Sequence, residues 1–166
     1  MHYLHKILIE TDGETDKNWL KQDAIDKLER FRNNVFDWAE YQTAGRWADN
    51  YPDNVILGCE DVEGLIKAIE ESRETQISEL KWYQENLKID SIDEFVKDFI
   101  NGTTSNIDEM QKFYLLKIAE TIFGQYACDS YFYNTIDGES TINDRLYNFI
   151  RANADNLALV IIDIHS

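Results

Sequence analysis

Residues 157–166 read LALVIIDIHS, and the fold follows from them. Seven of the first eight are apolar, with frequent β-branched side chains, the pattern of a strand buried on both faces. The run then ends in Asp163 and His165, which a period of two places on the same face. A core strand that carries a carboxylate and an imidazole to its rim presents either a site or a hydrogen bond that closes the fold.

A second strand opens the chain. Residues 2–10 (HYLHKILIE) alternate, with Tyr3, His5, Ile7 and Ile9 on one face and Leu4, Lys6 and Leu8 on the other. Turn residues follow at 11–15, then a helix over 16–32 whose stripe is Leu20, Ala24, Leu28 and Phe31. Residues 35–41 (VFDWAEY) alternate again and complete a first β-α-β unit. An irregular segment, TAGRWADNYPDN over 43–54, leads to a short strand at 55–57 closed by Gly58.

The middle of the chain reads as helical. Val62, Leu65, Ile66, Ile69, Ile77, Leu80 and Tyr83 keep one stripe across 61–86, with a break expected near Ser72. Ser91-Ile92-Asp93-Glu94 has the form of a capping box, opening a helix with Ile92, Phe95, Val96 and Phe99 inward and Gly102 at its end. A helix over 107–123, capped by Asn106 and stopped by Gly124, is apolar on a wide arc (Leu115, Leu116, Ile118, Ala119, Ile122, Phe123) and is expected to be deeply buried. Residues 125–135 read as a third strand, Asp137-Gly138 as a turn, and 142–153 as a helix capped by Thr141. With the closing strand, these form a second β-α-β unit.

The expected class is therefore α+β: two β-α-β units forming a ferredoxin-like (split β-α-β) antiparallel sheet, with a large acidic helical insert between them. Residues 1–166 form a single domain, with a sheet core at 1–58 and 124–166 and the insert at 59–123. The first strand lies antiparallel to the last, so His5 is expected to meet Asp163 and His165.

Composition narrows the function. At 166 residues and 13% aromatic content the chain supports a real core. No run approaches the ~18 apolar residues of a membrane span, and the N-terminus lacks a secretory pattern. Cys59 and Cys128 stand apart, as reduced thiols of a cytoplasmic protein do. The formal net charge is −16. Such a chain repels nucleic acid and anionic membrane and is drawn to basic surfaces. The ordinary meaning is solubility; the sharper one is a surface that imitates a phosphate backbone.

Three groups of residues are candidates for function. His5, Asp163 and His165 could hold a metal or form an acid–base pair, or simply close the fold. Asp37, Trp38, Arg46 and Trp47 could grip an anionic or planar ligand by charge and stacking, or form a lid over the sheet edge. Residues 48–110 carry 16 acids and 5 bases, among them Glu63, Glu70, Glu71, Glu74, Asp93, Glu94 and Asp98 on helix faces away from the apolar stripes. These are either solvated faces or a partner-binding surface. No HExxH, GxSxG or Walker spacing is present, so a non-enzyme without cofactor is expected.

The ordered set HxxHKILIE, DWAEYQTAGRW (37–47) and VIIDIHS (160–166) resembles a group of small proteins encoded by phages and prophages, which carry a D-W segment leading into G-G-R-W and close on a V-D-x-H strand. Ala44 stands here in place of the first glycine. The resemblance implies a phage or prophage origin. The leading expectation is an accessory protein of a bacterial host's cytoplasm that binds and inhibits a basic, nucleic-acid-handling defence protein, as an anti-CRISPR does. The alternative is a small-molecule, nucleotide or metal-binding protein, or a hydrolase, built on the His and Arg-Trp clusters. Self-association into a homodimer is left open.

Overall fold

A computed structural model describes residues 2–31, 38–102, 108–122, 130–138 and 141–165. The chain forms two compact units, Met1–Thr75 with Asp129–Ser166, and Gln76–Cys128.

The first unit is built on β5 (Leu157–His165), buried from Leu157 through Ile164. One edge of β5 pairs antiparallel with β1 (His2–Glu10) along its whole length. The other edge pairs antiparallel with β2 (Trp38–Glu40) at 163–165 and with β3 (Val55–Leu57) at 158–160. Asn54 fills the gap between them. Its carbonyl accepts from Ile161 N–H at 2.8 Å, and its side-chain amide donates to the carbonyls of Ile161 (3.0 Å) and Tyr41 (2.9 Å). The outer edge of β5 is thus satisfied almost without interruption.

β4 (Ser130–Asn134) pairs with the far edge of β1, and it does so in parallel. The sheet is therefore mixed, with order β2-β5-β1-β4 and β3 also on β5. This corrects the expectation of an all-antiparallel sheet. The antiparallel pairing of first and last strands is present as expected.

Both faces are covered, which is why β5 is apolar at both parities. On one, Ile7, Ile9, Val160, Ile162 and Ile164 pack against Leu20, Ala24 and Leu28 of α1 (Lys17–Phe31). On the other, Leu8, Leu157, Leu159 and Phe132 pack against two helices. These are α2 (Gly58–Asn86), through Leu65, Ile66, Ala68 and Ile69, and α5 (Asp144–Asn153), through Leu146, Tyr147 and Ile150. The first half of α2 is therefore core of the sheet unit rather than insert. Nor does α2 break at Ser72, which is buried with its hydroxyl 2.7 Å from that of Ser130. Its non-helical residue is Asp61, whose carboxylate accepts from Gly64 N–H at 2.8 Å and caps the turns that follow. Asn143, not Thr141, caps α5 by accepting from Leu146 N–H at 3.0 Å.

The second unit holds the end of α2, α3 (Ile89–Ile100) and α4 (Glu109–Ile122). Trp82, Tyr83, Phe113 and Tyr114 form an aromatic cluster, with Trp82 edge-on to Tyr114 at 5.2 Å. Gln111 ties the α2–α3 turn to α4, accepting from Lys88 N–H at 2.7 Å and donating to the Asn86 carbonyl at 3.2 Å. That tertiary cap starts α3 two residues before Ser91, so the expected capping box lies inside the helix. Gly102, at φ +66°, follows α3 as expected. Phe95, Val96 and Phe99 are exposed rather than inward, and on α4 so are Leu115, Leu116 and Ile122. The expected caps Asn106 and Gly124 lie outside the described residues, as do 35–37 and 125–129 of the expected strands.

Replacing Asn54 by Ala strands the carbonyls of Ile161 and Tyr41. Urea titration should show a loss of about 1–3 kcal/mol for this one side chain.

Candidate functional site

In the observed register, odd-numbered residues of β5 pair with even-numbered residues of β1. Asp163 therefore shares a face with His2, Leu4 and Lys6, and His5 lies on the opposite face, across from Ile162. There His5 is buried and stacked with Tyr131 (4.7 Å) and Tyr133 (5.6 Å). The expected grouping of His5 with Asp163 and His165 is corrected accordingly. His2 takes the place of His5: its Nδ1 lies 3.0 Å from Asp163 Oδ1, and its ring meets that of His165 edge-on at 5.0 Å. Among the described residues, no three His, Cys, Asp or Glu side chains gather as a metal site requires.

The segment after β2 crosses this face. Ala44 packs with Leu4 and Ile161, and Trp47, Tyr51 and Ile56 close over them. Gly45 opens a single 3-10 turn, Gly45–Trp47, at φ +53°. The buried Asp163 carboxylate accepts from Arg46 N–H at 3.1 Å and so pins that turn. A Cβ on Gly45 would stand 2.4 Å from Asp163 Cβ, so glycine is required by both backbone and space. The G-R-W motif and the D-x-H strand tip are thus two halves of one structural contact. The Arg46 side chain is exposed, Trp47 is half-buried, Asp37 lies outside the described residues, and of Trp38 only the backbone pairing with His165 is described.

One strand step away, Lys6 is 1% exposed. Its Nζ donates to the Ala68 carbonyl at 2.5 Å, lies 3.6 Å from Glu71 Oε2, and sits 5.1 Å from the Tyr51 ring centre. The Tyr51 hydroxyl donates to the same Glu71 carboxylate. Leu4, Lys6, Trp47, Tyr51, Glu71, Thr75 and Ser130 line a cleft of about 240 Å³. Burial pulls the Lys6 ammonium down to about 8, although Glu71 favours its charged form. Burial, and then the bonded Glu71 carboxylate, push the Tyr51 phenol well above its ordinary value. This cluster was not singled out from the sequence. Its signal was a lysine between Leu4 and Leu8, on the inward face of a strand expected to lie in the core.

The acidic candidates scatter. Glu71 belongs to the cleft and Glu63 pairs with Arg151 at 3.2 Å, while Glu70 and Glu74 are exposed on the sheet unit. Asp93 and Glu94 are exposed on α3, and Asp98 is half-buried there. No family model, no curated protein and no solved structure matches the chain.

Gly45→Ala should cost about 2–4 kcal/mol, combining left-handed strain with displacement of Asp163. Gly13→Ala, at φ +82° with nothing within 4 Å, should cost only about 1 kcal/mol in the same thermal and urea melts. The lysine yields a pH test. Its folded pKa is below its unfolded one, so the unfolded chain holds more protons between about 8 and 10.5, and stability rises with pH there. Relative to Lys6→Met, the natural chain should gain about 2–3 kcal/mol from pH 7 to pH 10. A flat difference would mean that the amine is not desolvated.

Proposed function

We propose that this chain is an accessory protein of phage or prophage type that acts in the cytoplasm of a bacterial host. On this reading it binds and inhibits a basic, nucleic-acid-handling defence protein. One observation carries the reading. Of the twelve exposed large apolar side chains among the described residues, eleven belong to the Gln76–Cys128 unit. Phe99 and Ile100 are 76% and 75% exposed on α3, which also carries the exposed acids Asp93 and Glu94. Apolar exposure on this scale marks a surface that meets something. A formal charge of −16 disfavours nucleic acid and anionic lipid as that something and favours a basic protein. No helix among the described residues is long and apolar enough to cross a membrane.

Charge and apolar area then have separable roles. Glu63, Glu70 and Glu74 recur along the outer face of α2, and their field speeds encounter with a basic partner. Phe99 and Ile100 retain the partner once bound, through area removed from water.

The test is affinity capture from nuclease-treated bacterial lysate, followed by kinetics on the captured protein and an assay of its nucleic-acid activity. The captured protein should be basic and should lose activity when bound. Reversing Glu63, Glu70 and Glu74 to Lys should slow association about tenfold at low salt and much less at high salt. Phe99→Ser with Ile100→Ser should speed dissociation about tenfold or more. If both variants bind as the natural chain does, or the bound protein keeps its activity, the proposal fails.

A further inference from the structure

Lys6 plays no part in the docking described above, and its position is costly. Leu4 and Leu8 flank it on the same strand face, and a leucine or methionine at 6 would fill the space without desolvating an ammonium. The amine is instead supplied with a carbonyl at Ala68, a carboxylate at Glu71 and a ring face at Tyr51, and it borders an open cleft. The carboxylate is shared with the Tyr51 hydroxyl, so a proton acceptor and a proton donor stand together beside the nitrogen.

We propose that Lys6 is a nucleophilic amine whose cleft takes up a small neutral aromatic aldehyde or ketone as an imine. Each feature of the ligand follows from the walls. Trp47, Tyr51 and Leu4 offer a flat, apolar lining suited to a ring. Glu71 beside the amine disfavours an anionic ligand. A cleft of about 240 Å³ has room for roughly eight water-sized groups, which a single ring with a short substituent fills.

In the reaction, the Nζ lone pair forms a C–N bond as the carbonyl π pair moves to oxygen. Two protons pass in turn from the nitrogen, by way of the Glu71 carboxylate, to that oxygen, the first giving a carbinolamine and the second making its hydroxyl a water. The C–O bond then breaks and water leaves. Amine and carbonyl give imine and one water, with no change of oxidation state. Burial that lowers the amine to about 8 leaves about half of it uncharged at pH 8. At pH 8 it then carries roughly a hundredfold more free amine than an ordinary lysine.

The test uses the unaltered chain with benzaldehyde and sodium cyanoborohydride near pH 8, which converts an imine into a stable benzylamine. Peptide mapping by mass spectrometry then reports which amines reacted. Lys6 should be benzylated at least about tenfold faster than the chain's nine other lysines, as its larger free-amine fraction requires. Excess benzyl alcohol should slow Lys6 alone. Glu71→Gln, shown to be folded by its thermal melt, should slow Lys6 about tenfold or more and leave exposed lysines unchanged. Exposed lysines labelled while Lys6 stays unmodified, or Lys6 reacting no faster than they do, would overturn the proposal.

Discussion

A strand buried on both faces must find every backbone hydrogen-bond partner inside the protein, and β5 sets that demand here. β1 answers it along one edge for nine residues. The other edge is answered in three pieces: β2, the single residue Asn54, and β3. The path of residues 38–57 follows from this, since each piece must return to the same strand. The loop between the pieces has to cross the sheet face, and it carries Gly45, Trp47 and Tyr51 to their places. The Asp163 contact and the Lys6 cleft are consequences of how the outer edge of β5 is closed.

Much of this frame was legible. The unbroken apolar run of β5, the alternation of β1 and the stripe of α1 each reflect local periodicity, and each element is present. The parallel pairing of β1 with β4 was not legible, because it joins residues more than 120 positions apart and no nearby turn dictates it. Register parity failed for a related reason. Shifting a strand by one residue exchanges its faces, and nothing local in HYLHKILIE distinguishes His2 from His5 as the neighbour of Asp163. Caps were overridden in the same manner: Gln111, twenty residues beyond Ser91, serves the turn that opens α3.

The helical middle shows a different limit. A stripe such as Ile92, Phe95, Val96 and Phe99 reports that a helix has an apolar face, not what covers it. In α2 the stripe is covered by the sheet as far as Ile69, whereas in α3 and α4 much of it stays exposed. That difference separates a core helix from a surface able to meet a partner, and the sequence pattern is the same for both. Lys6 is the converse case: a charge in an inward position is visible in the sequence, but its carboxylate and phenol partners lie 65 and 45 residues away.

Native-state hydrogen exchange of the intact chain tests the central claim, that β5 is paired along both edges and organises the sheet unit. The amides of residues 158–164 should be the slowest in the protein. Ile161, whose outer partner among the described residues is Asn54, should be as slow as its neighbours and should exchange only through global unfolding. If Ile161 or the adjoining β5 amides exchange as fast as those of α3, the outer edge is open and the account of the fold and its cleft is wrong.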